Sequence, residues 1–178
     1  MIINRRFLLT AVAAALAARH AGAAPAGHRT ITWEELVPKD WDPSKEMQAL
    51  GNTGAVAEGS AREQELMRKM REIFDKAPTR AELRGARVRL PGYVVPLESL
   101  AGSVREFLLV PYFGACIHTP PPPANQIVHV RLAAARAMRT MDAVWASGTL
   151  STQRSDTPMG SSGYTMQGAV EIEPYRRP

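Results

Sequence analysis

A single cysteine, Cys116, stands in a chain of 178 residues, so no disulfide can form within it. The same scarcity rules out the Cys-x-x-Cys pair that disulfide exchange normally uses. No apolar run approaches the roughly 20 residues needed to cross a hydrocarbon core; the run Phe7 to Ala18 stops well short. A strong charge of one sign is missing as well. Lys and Arg number 22 against 17 Asp and Glu, and Arg5, Arg6 and Arg19 all fall in residues 1–26, which carry no acid. Beyond residue 26 there remain 19 basic and 17 acidic residues, too even a balance for a polyanion-binding surface. Nucleic acid is therefore not an expected partner.

The order Arg5-Arg6, then Phe7 to Ala18, then small residues ending in Ala24-Pro25-Ala26 has the plan of a secretory signal peptide. The sequence thus predicts export to the periplasm with cleavage near Ala26. The general secretory route and the twin-arginine route both fit, although one spacer residue expected of the latter is missing. No transmembrane segment is expected after cleavage. About 150 residues then remain, enough for one domain with a real core.

Residues 27–59 read as an arm and linker. Trp33, Leu36 and Trp41 are spaced by acids and prolines, Thr32 and Glu35 can cap a short turn, and Gly51 to Gly59 is rich in small residues. Residues 60–178 read as a helix followed by a β domain. Ser60 opens the helix, Glu63 completes a capping box, and Leu66, Met67, Met70, Ile73 and Phe74 recur at helical spacing up to about Lys76.

After Gly85 the period shortens to two. Strands are expected around Val88 to Val95, with a bend at Pro91-Gly92, and at Phe107 to Val110, Ile127 to Leu132, Ala143 to Leu150 and Tyr164 to Ile172. Ala133 to Met141 is a helix by propensity, and the Ser-Thr-Gln-Arg-Ser-Asp-Thr run from Ser151 is a solvent-facing turn. Five short strands with a helix after the third is the order of a five-stranded Greek-key barrel of the oligonucleotide/oligosaccharide-binding (OB) type. An irregular β-sandwich or an α+β sheet fits the same order.

Residues 111–125 concentrate the chemistry: Cys116, then His118, then Pro120, Pro121, Pro122 and Pro123, a stiff polyproline II segment. Cys116 can be buried and inert, a metal ligand, or a thiol open to another molecule. Thiolate and imidazole two residues apart share a face of an extended strand and suit zinc or copper(I). Two ligands are too few for a stable zinc site, so His129 on the next strand is the candidate third, and Glu98 and Asp156 are acids that can add oxygen. Without a ligand, Cys116 points inward while His118, Asn125 and Gln126 donate hydrogen bonds to carbonyls of the proline turn. A third reading makes Tyr112, Phe113, Pro120 to Pro123, Asn125 and Gln126 a rigid ledge for a protein partner. The local pattern of a cysteine protease is absent, so no catalytic residue is assigned and no enzyme is expected.

The strings Leu90-Pro91-Gly92-Tyr93-Val94-Val95-Pro96-Leu97-Glu98, Phe107 through His118, and Pro120 through Val128 resemble a family of exported bacterial proteins, domain of unknown function 3299. Trp33 with Leu36-Val37-Pro38, and Gly163-Tyr164 with Met166-Gln167-Gly168, extend the likeness over most of the mature chain. The family has no established activity. Some members are encoded beside a periplasmic metal-binding protein and the parts of an ATP-binding-cassette (ABC) transporter, in clusters responsive to zinc shortage. The resemblance therefore implies a periplasmic accessory or binding protein in metal homeostasis or envelope maintenance. The alternative is a structural envelope module that contacts other proteins through the Tyr112-Phe113 and polyproline ledge, without metal.

Overall fold

The computed structural model describes residues 27–48, 57, 59–100, 102–115 and 122–175. Period-two stretches become strands: β1 Arg29–Thr30, β2 Arg87–Pro96, β3 Ser99–Leu100, β4 Ser103–Val110, β5 Val128–Ala137, β6 Ala143–Ser151, β7 Ser155–Thr157, β8 Gly160–Ser162, β9 Tyr164–Gly168 and β10 Glu171–Pro174. Two α-helices, α1 Pro43–Gln48 and α2 Ala61–Asp75, lie between β1 and β2.

β2 pairs with β4, β4 with β5, β5 with β9 and β9 with β6, and β6 returns to β2. These pairings close a five-stranded barrel. In chain order its strands run first, second, third, fifth, fourth and back to first, the Greek-key order of the OB fold. All contacts in the ring are antiparallel except β5 with β9. The short β1 and β3 add to β2 and β4, and β10 adds to β6.

Inward residues at alternate positions fill the barrel, among them Val88, Leu90, Phe107, Leu109, Val128, Val130, Tyr164 and Met166. Gly92 lets β4 cross closely, since a Cβ there would stand 2.8 Å from Leu109 Cγ and 2.9 Å from the Val110 carbonyl oxygen. The expected bend at Pro91-Gly92 is thus absorbed within one continuous strand, β2.

The arm joins the same core through Ile31, Trp33 and Leu36. Trp33 Nε1 donates to the Pro91 carbonyl at 2.7 Å, so its indole is buried without an orphaned donor. Glu35 reaches back to the Thr32 amide at 3.0 Å, the outer half of the cap expected there. Trp41 is half-buried beside a groove formed with residues 38–40 and 78–82.

Helix α2 begins as its cap residues require. The Glu63 amide donates to Ser60 Oγ at 3.1 Å, and the Glu63 carboxylate accepts from the Gly59 amide at 2.6 Å. Its apolar side is only half-buried, and Met67 is 45% exposed. We predict that Ser60→Ala lowers stability by about 1 kcal/mol, read from chemical denaturation, with Ser60→Asp restoring it.

One expected element is corrected. Residues 133–141 form no helix: β5 runs on to Ala137, and a turn at Arg139 to Asp142 leads into β6. Ser103 and Val104 pair with Ala137 and Arg136 across a register shift, and Leu132 and Met138 are buried at either end of the segment. Helix propensity is worth at most about 0.7 kcal/mol per ordinary residue, and the available edge of β4 outweighs it. Likewise, the run after Ser151 is not a plain solvent loop. It carries the hairpin β7–β8, in which Ser161 and Ser162 are buried.

Candidate functional site

The two-residue period that sends Phe107, Val128 and Val130 inward sends Glu106, Leu108, His129 and Arg131 to the outside of the barrel. Register then sets Glu106 opposite Arg131 and Leu108 opposite His129, with Thr165 and Gln167 beside them on β9. This face divides in two. Toward Tyr93 it is apolar, where Val95, Leu108, Val110, Ala115 and Ile127 form a second buried cluster with Met159 from the β7–β8 hairpin packed on it. Toward Arg131 it is polar, and the segment from Gln153 to Ser155 leans over it to enclose a hollow of about 120 Å³.

His129 is the centre of the polar half. Only 6% of it is exposed. Its Nδ1 lies 2.8 Å from Ser155 Oγ, and its Nε2 lies 2.7 Å from Glu106 Oε1. The Glu106 oxygen sits off the line of the ring N–H, so this second contact is electrostatic more than an aligned hydrogen bond. The same Oε1 accepts from Arg131 Nη2 at 2.6 Å.

That hydrogen bond from Arg131, before any other influence, holds the Glu106 carboxyl below the usual carboxylate range. Burial draws the His129 imidazole below its ordinary 6.5, with Glu106 opposing and Arg131 adding to the fall. At neutral pH the chain is therefore carboxylate, neutral imidazole, hydroxyl. In the hairpin, Arg154 Nη2 pairs with Asp156 Oδ1 at 2.6 Å, and Ser161 Oγ donates to the same oxygen at 2.7 Å. Arg154 also reaches the Asp75 carbonyl at the end of α2, which ties the hairpin to that helix.

Both titrating groups have native pKa values below their unfolded ones, so both bind fewer protons folded than unfolded over an acidic window. Stability is expected to be full above about pH 7, to fall first as unfolded histidine protonates below about 6.5, and to fall further as pH drops through the carboxylate range. Thermal unfolding followed from pH 8 to 4 checks this. A His129→Gln variant should lose part of the slope between pH 7 and 5; an unchanged slope would show that His129 does not carry it.

Residues 33–174 match the family described as "Protein of unknown function (DUF3299)". The chain belongs to the DUF3299 family. A solved DUF3299 protein from Pseudomonas aeruginosa PAO1 is 35% identical, with a TM-score of 0.63 over 88% of this chain and 99% of that one. No curated protein matches the chain. Family membership thus fixes kinship and fold and leaves activity open.

In this DUF3299 protein, Cys116, His118, Pro120 and Pro121 lie outside the described residues, as do residues 1–26, where a signal peptide is expected. Pro122 is buried and Pro123 half-buried. Asn125 is fully buried and donates through Nδ2 to the Pro78 carbonyl at 3.1 Å, so its amide holds the loop after α2 and does not face a partner. The half-buried Gln126 is held by its backbone amide, which donates to the Pro123 carbonyl at 2.7 Å. Tyr112 and Phe113 are exposed at 43% and 68%, with the Phe113 ring edge-on to Tyr93.

His129 meets Leu108 and Thr165 across its two ladders. With both ring nitrogens engaged it would have to give up a contact to bind a metal. Asp156 is likewise held by Arg154 and Ser161. Among the described residues no group of three or more His, Cys, Asp or Glu is arranged to hold a metal ion, and no helix is long and apolar enough to cross a membrane.

The sequence assigns no site role to Glu106, Arg131, Ser155, Thr165 or Gln167. The alternation Val128-His129-Val130-Arg131 was a usable signal for two outward polar residues on one face. Nothing local announces Ser155, which arrives from a hairpin 26 positions beyond His129.

Proposed function

We propose that this DUF3299 protein is an exported binding protein whose ligand site is the polar hollow between β5, β9 and the segment 153–155. One observation carries the reading. The outer face of the second and third barrel strands, the face OB folds use for ligands, here bears a built polar cluster beneath the loop joining the fourth and fifth strands. Fold alone would not suffice, since function resides in the site. The donor set supplies the rest: Gln153 and Gln167 side chains and the free guanidinium N–H groups of Arg131 line the hollow without protein partners among the described residues. They suit a small ligand rich in acceptor oxygens. Export is supported by the Arg5-Arg6, Phe7 to Ala18 and Ala24-Pro25-Ala26 pattern.

Acetate and inorganic phosphate, titrated separately into ¹⁵N-labelled mature protein, test this. Saturable shifts confined to Arg131, Gln153, Ser155, Thr165 and Gln167 are expected from at least one, weakened in Arg131→Ala. Shifts elsewhere, or none, refute the reading. The rival is zinc or copper(I) handling beside an ABC transporter, through Cys116, His118 and His129. Its ligand set rests on the sequence pattern and its transporter link on the family resemblance, and the two existing contacts of His129 weigh against it. Tight zinc or copper(I) binding that is lost in both Cys116→Ser and His118→Ala would restore it.

A further inference from the structure

We infer that Ser155 is a nucleophile, activated by His129, that can attack a small ester or other activated acyl or phosphoryl compound held in the hollow. The inference rests on the ligand-site reading above and adds a covalent step to it. Three groups stand in series with the roles such chemistry needs: hydroxyl, imidazole within hydrogen-bond reach, and carboxylate on the other ring nitrogen. The distances are 2.8 Å from Ser155 Oγ to His129 Nδ1 and 2.7 Å from His129 Nε2 to Glu106 Oε1. Ser155 and His129 both line the hollow, so the hydroxyl–imidazole pair sits at the wall of the space a ligand would fill.

The tautomer follows from the neighbours. A carboxylate beside Nε2 favours the proton there, which leaves Nδ1 as the acceptor facing the serine hydroxyl. Burial keeps the ring neutral, hence a base, while Arg131 keeps Glu106 ionised. Glu106 is a positioning residue, and it also stabilises the imidazolium that forms. The contact at Nε2 is off-line in the resting site, a looseness seen in catalytic hydrogen bonds before substrate binds. Charge developing on an attacked carbonyl oxygen would find donors in the Arg131 guanidinium and the Gln153 and Gln167 amides.

The step balances with water as the only co-reactant. Ser155 Oγ bonds to the carbonyl carbon as its proton passes to His129 Nδ1. The ester C–O bond breaks, and the departing alcohol takes that proton. Water then attacks the acyl-serine and gives a proton to Nδ1; the acid leaves and the proton returns to Oγ.

The experiment treats full-length mature protein with a fluorophosphonate, which the serine attacks with loss of fluoride, and with p-nitrophenyl acetate. A single adduct mapped by peptide mass spectrometry to Ser155 is expected. Ester turnover should exceed that of Ser155→Ala by about 10²- to 10⁴-fold, while Ser103→Ala, at the exposed start of β4, keeps the wild-type rate. Glu106→Gln should move the acid limb of the rate profile to lower pH, because the imidazolium loses its carboxylate. Arg131 on β5 and the Arg154–Asp156 pair of the hairpin remain around the ring in that variant. An unmoved limb would show that Glu106 does not act on the imidazole that carries the reaction.

No adduct on folded wild-type protein, an adduct on another residue, or unchanged turnover in Ser155→Ala overturns the inference. If acetate or phosphate still shifts the hollow's resonances while no adduct forms, the ligand site stands and the nucleophile alone falls. If neither happens, both fall.

Discussion

Phe107→Ala is expected to destabilise the protein by about 3–5 kcal/mol, a large share of the whole stability of a domain this size. The ring is fully buried, on β4 where that strand pairs with both β2 and β5. A closed barrel gives its neighbours little freedom to collapse into the space, because each wall strand is held by ladders on both sides. The cost therefore combines lost transfer energy with a persistent cavity. Urea denaturation measures it as a fall in midpoint at unchanged slope. Phe107→Leu, which keeps most of the volume, should recover more than half of the loss. A cost below about 1 kcal/mol would mean that Phe107 does not sit in the closed interior.

Tyr164→Phe is expected to cost about 2–4 kcal/mol although it removes one oxygen atom and leaves the ring in place. That oxygen serves two backbone groups from distant parts of the chain. It donates to the Leu36 carbonyl and accepts from the Arg80 amide, both at 2.7 Å. Without it, a buried carbonyl and a part-buried amide both lose their partners, and each pays its own desolvation penalty. The loss should also show locally, as faster limited proteolysis between Val37 and Trp41, since the hydroxyl fastens the arm to the barrel. Unfolding free energy within 0.5 kcal/mol of wild type, with the arm no more sensitive to protease, would show that other contacts hold it.

Both expectations concern the same construction. Tyr164 lies on β9, parallel to β5, and the β9–β5 ladder brings Thr165 and Gln167 beside His129 and Arg131. Gly163, just before it, donates to the Ala124 carbonyl at 2.6 Å, and a Cβ there would stand 2.6 Å from Thr79 Cγ2. The arm, the loop after α2 and the polar hollow thus share one anchoring strand. Damage at Tyr164 should therefore loosen the candidate site as well as the arm.

Several elements were legible because their cause is local. Ser60 and Glu63 mark the start of α2 through hydrogen bonds spanning a few residues, the apolar run Phe107 to Val110 marks a strand buried on both faces, and the alternation Val128 to Leu132 marks its neighbour. Local propensity misled at Ala133 to Met141, whose alanines, arginines and methionine favour a helix in isolation. There the decisive term is an unfilled strand edge contributed by residues about thirty positions earlier. Asn125 shows the same limit, for a polar residue in a proline-rich loop reads as exposed until the Pro78 carbonyl is known to face it.

From composition and order alone came the absence of an internal disulfide, the leader-like pattern of the N-terminus, the capped helix and the places of the barrel's strands along the chain, each set by the covalent chain or by neighbours within a turn or strand. Register and closure decided the remainder: which polar residues meet outside the barrel, that Glu106, His129 and Ser155 line up, and that Arg131 keeps the acid charged. Those pairings join residues 23 to 26 positions apart, and no short-range periodicity encodes a contact that exists only once the ring has closed.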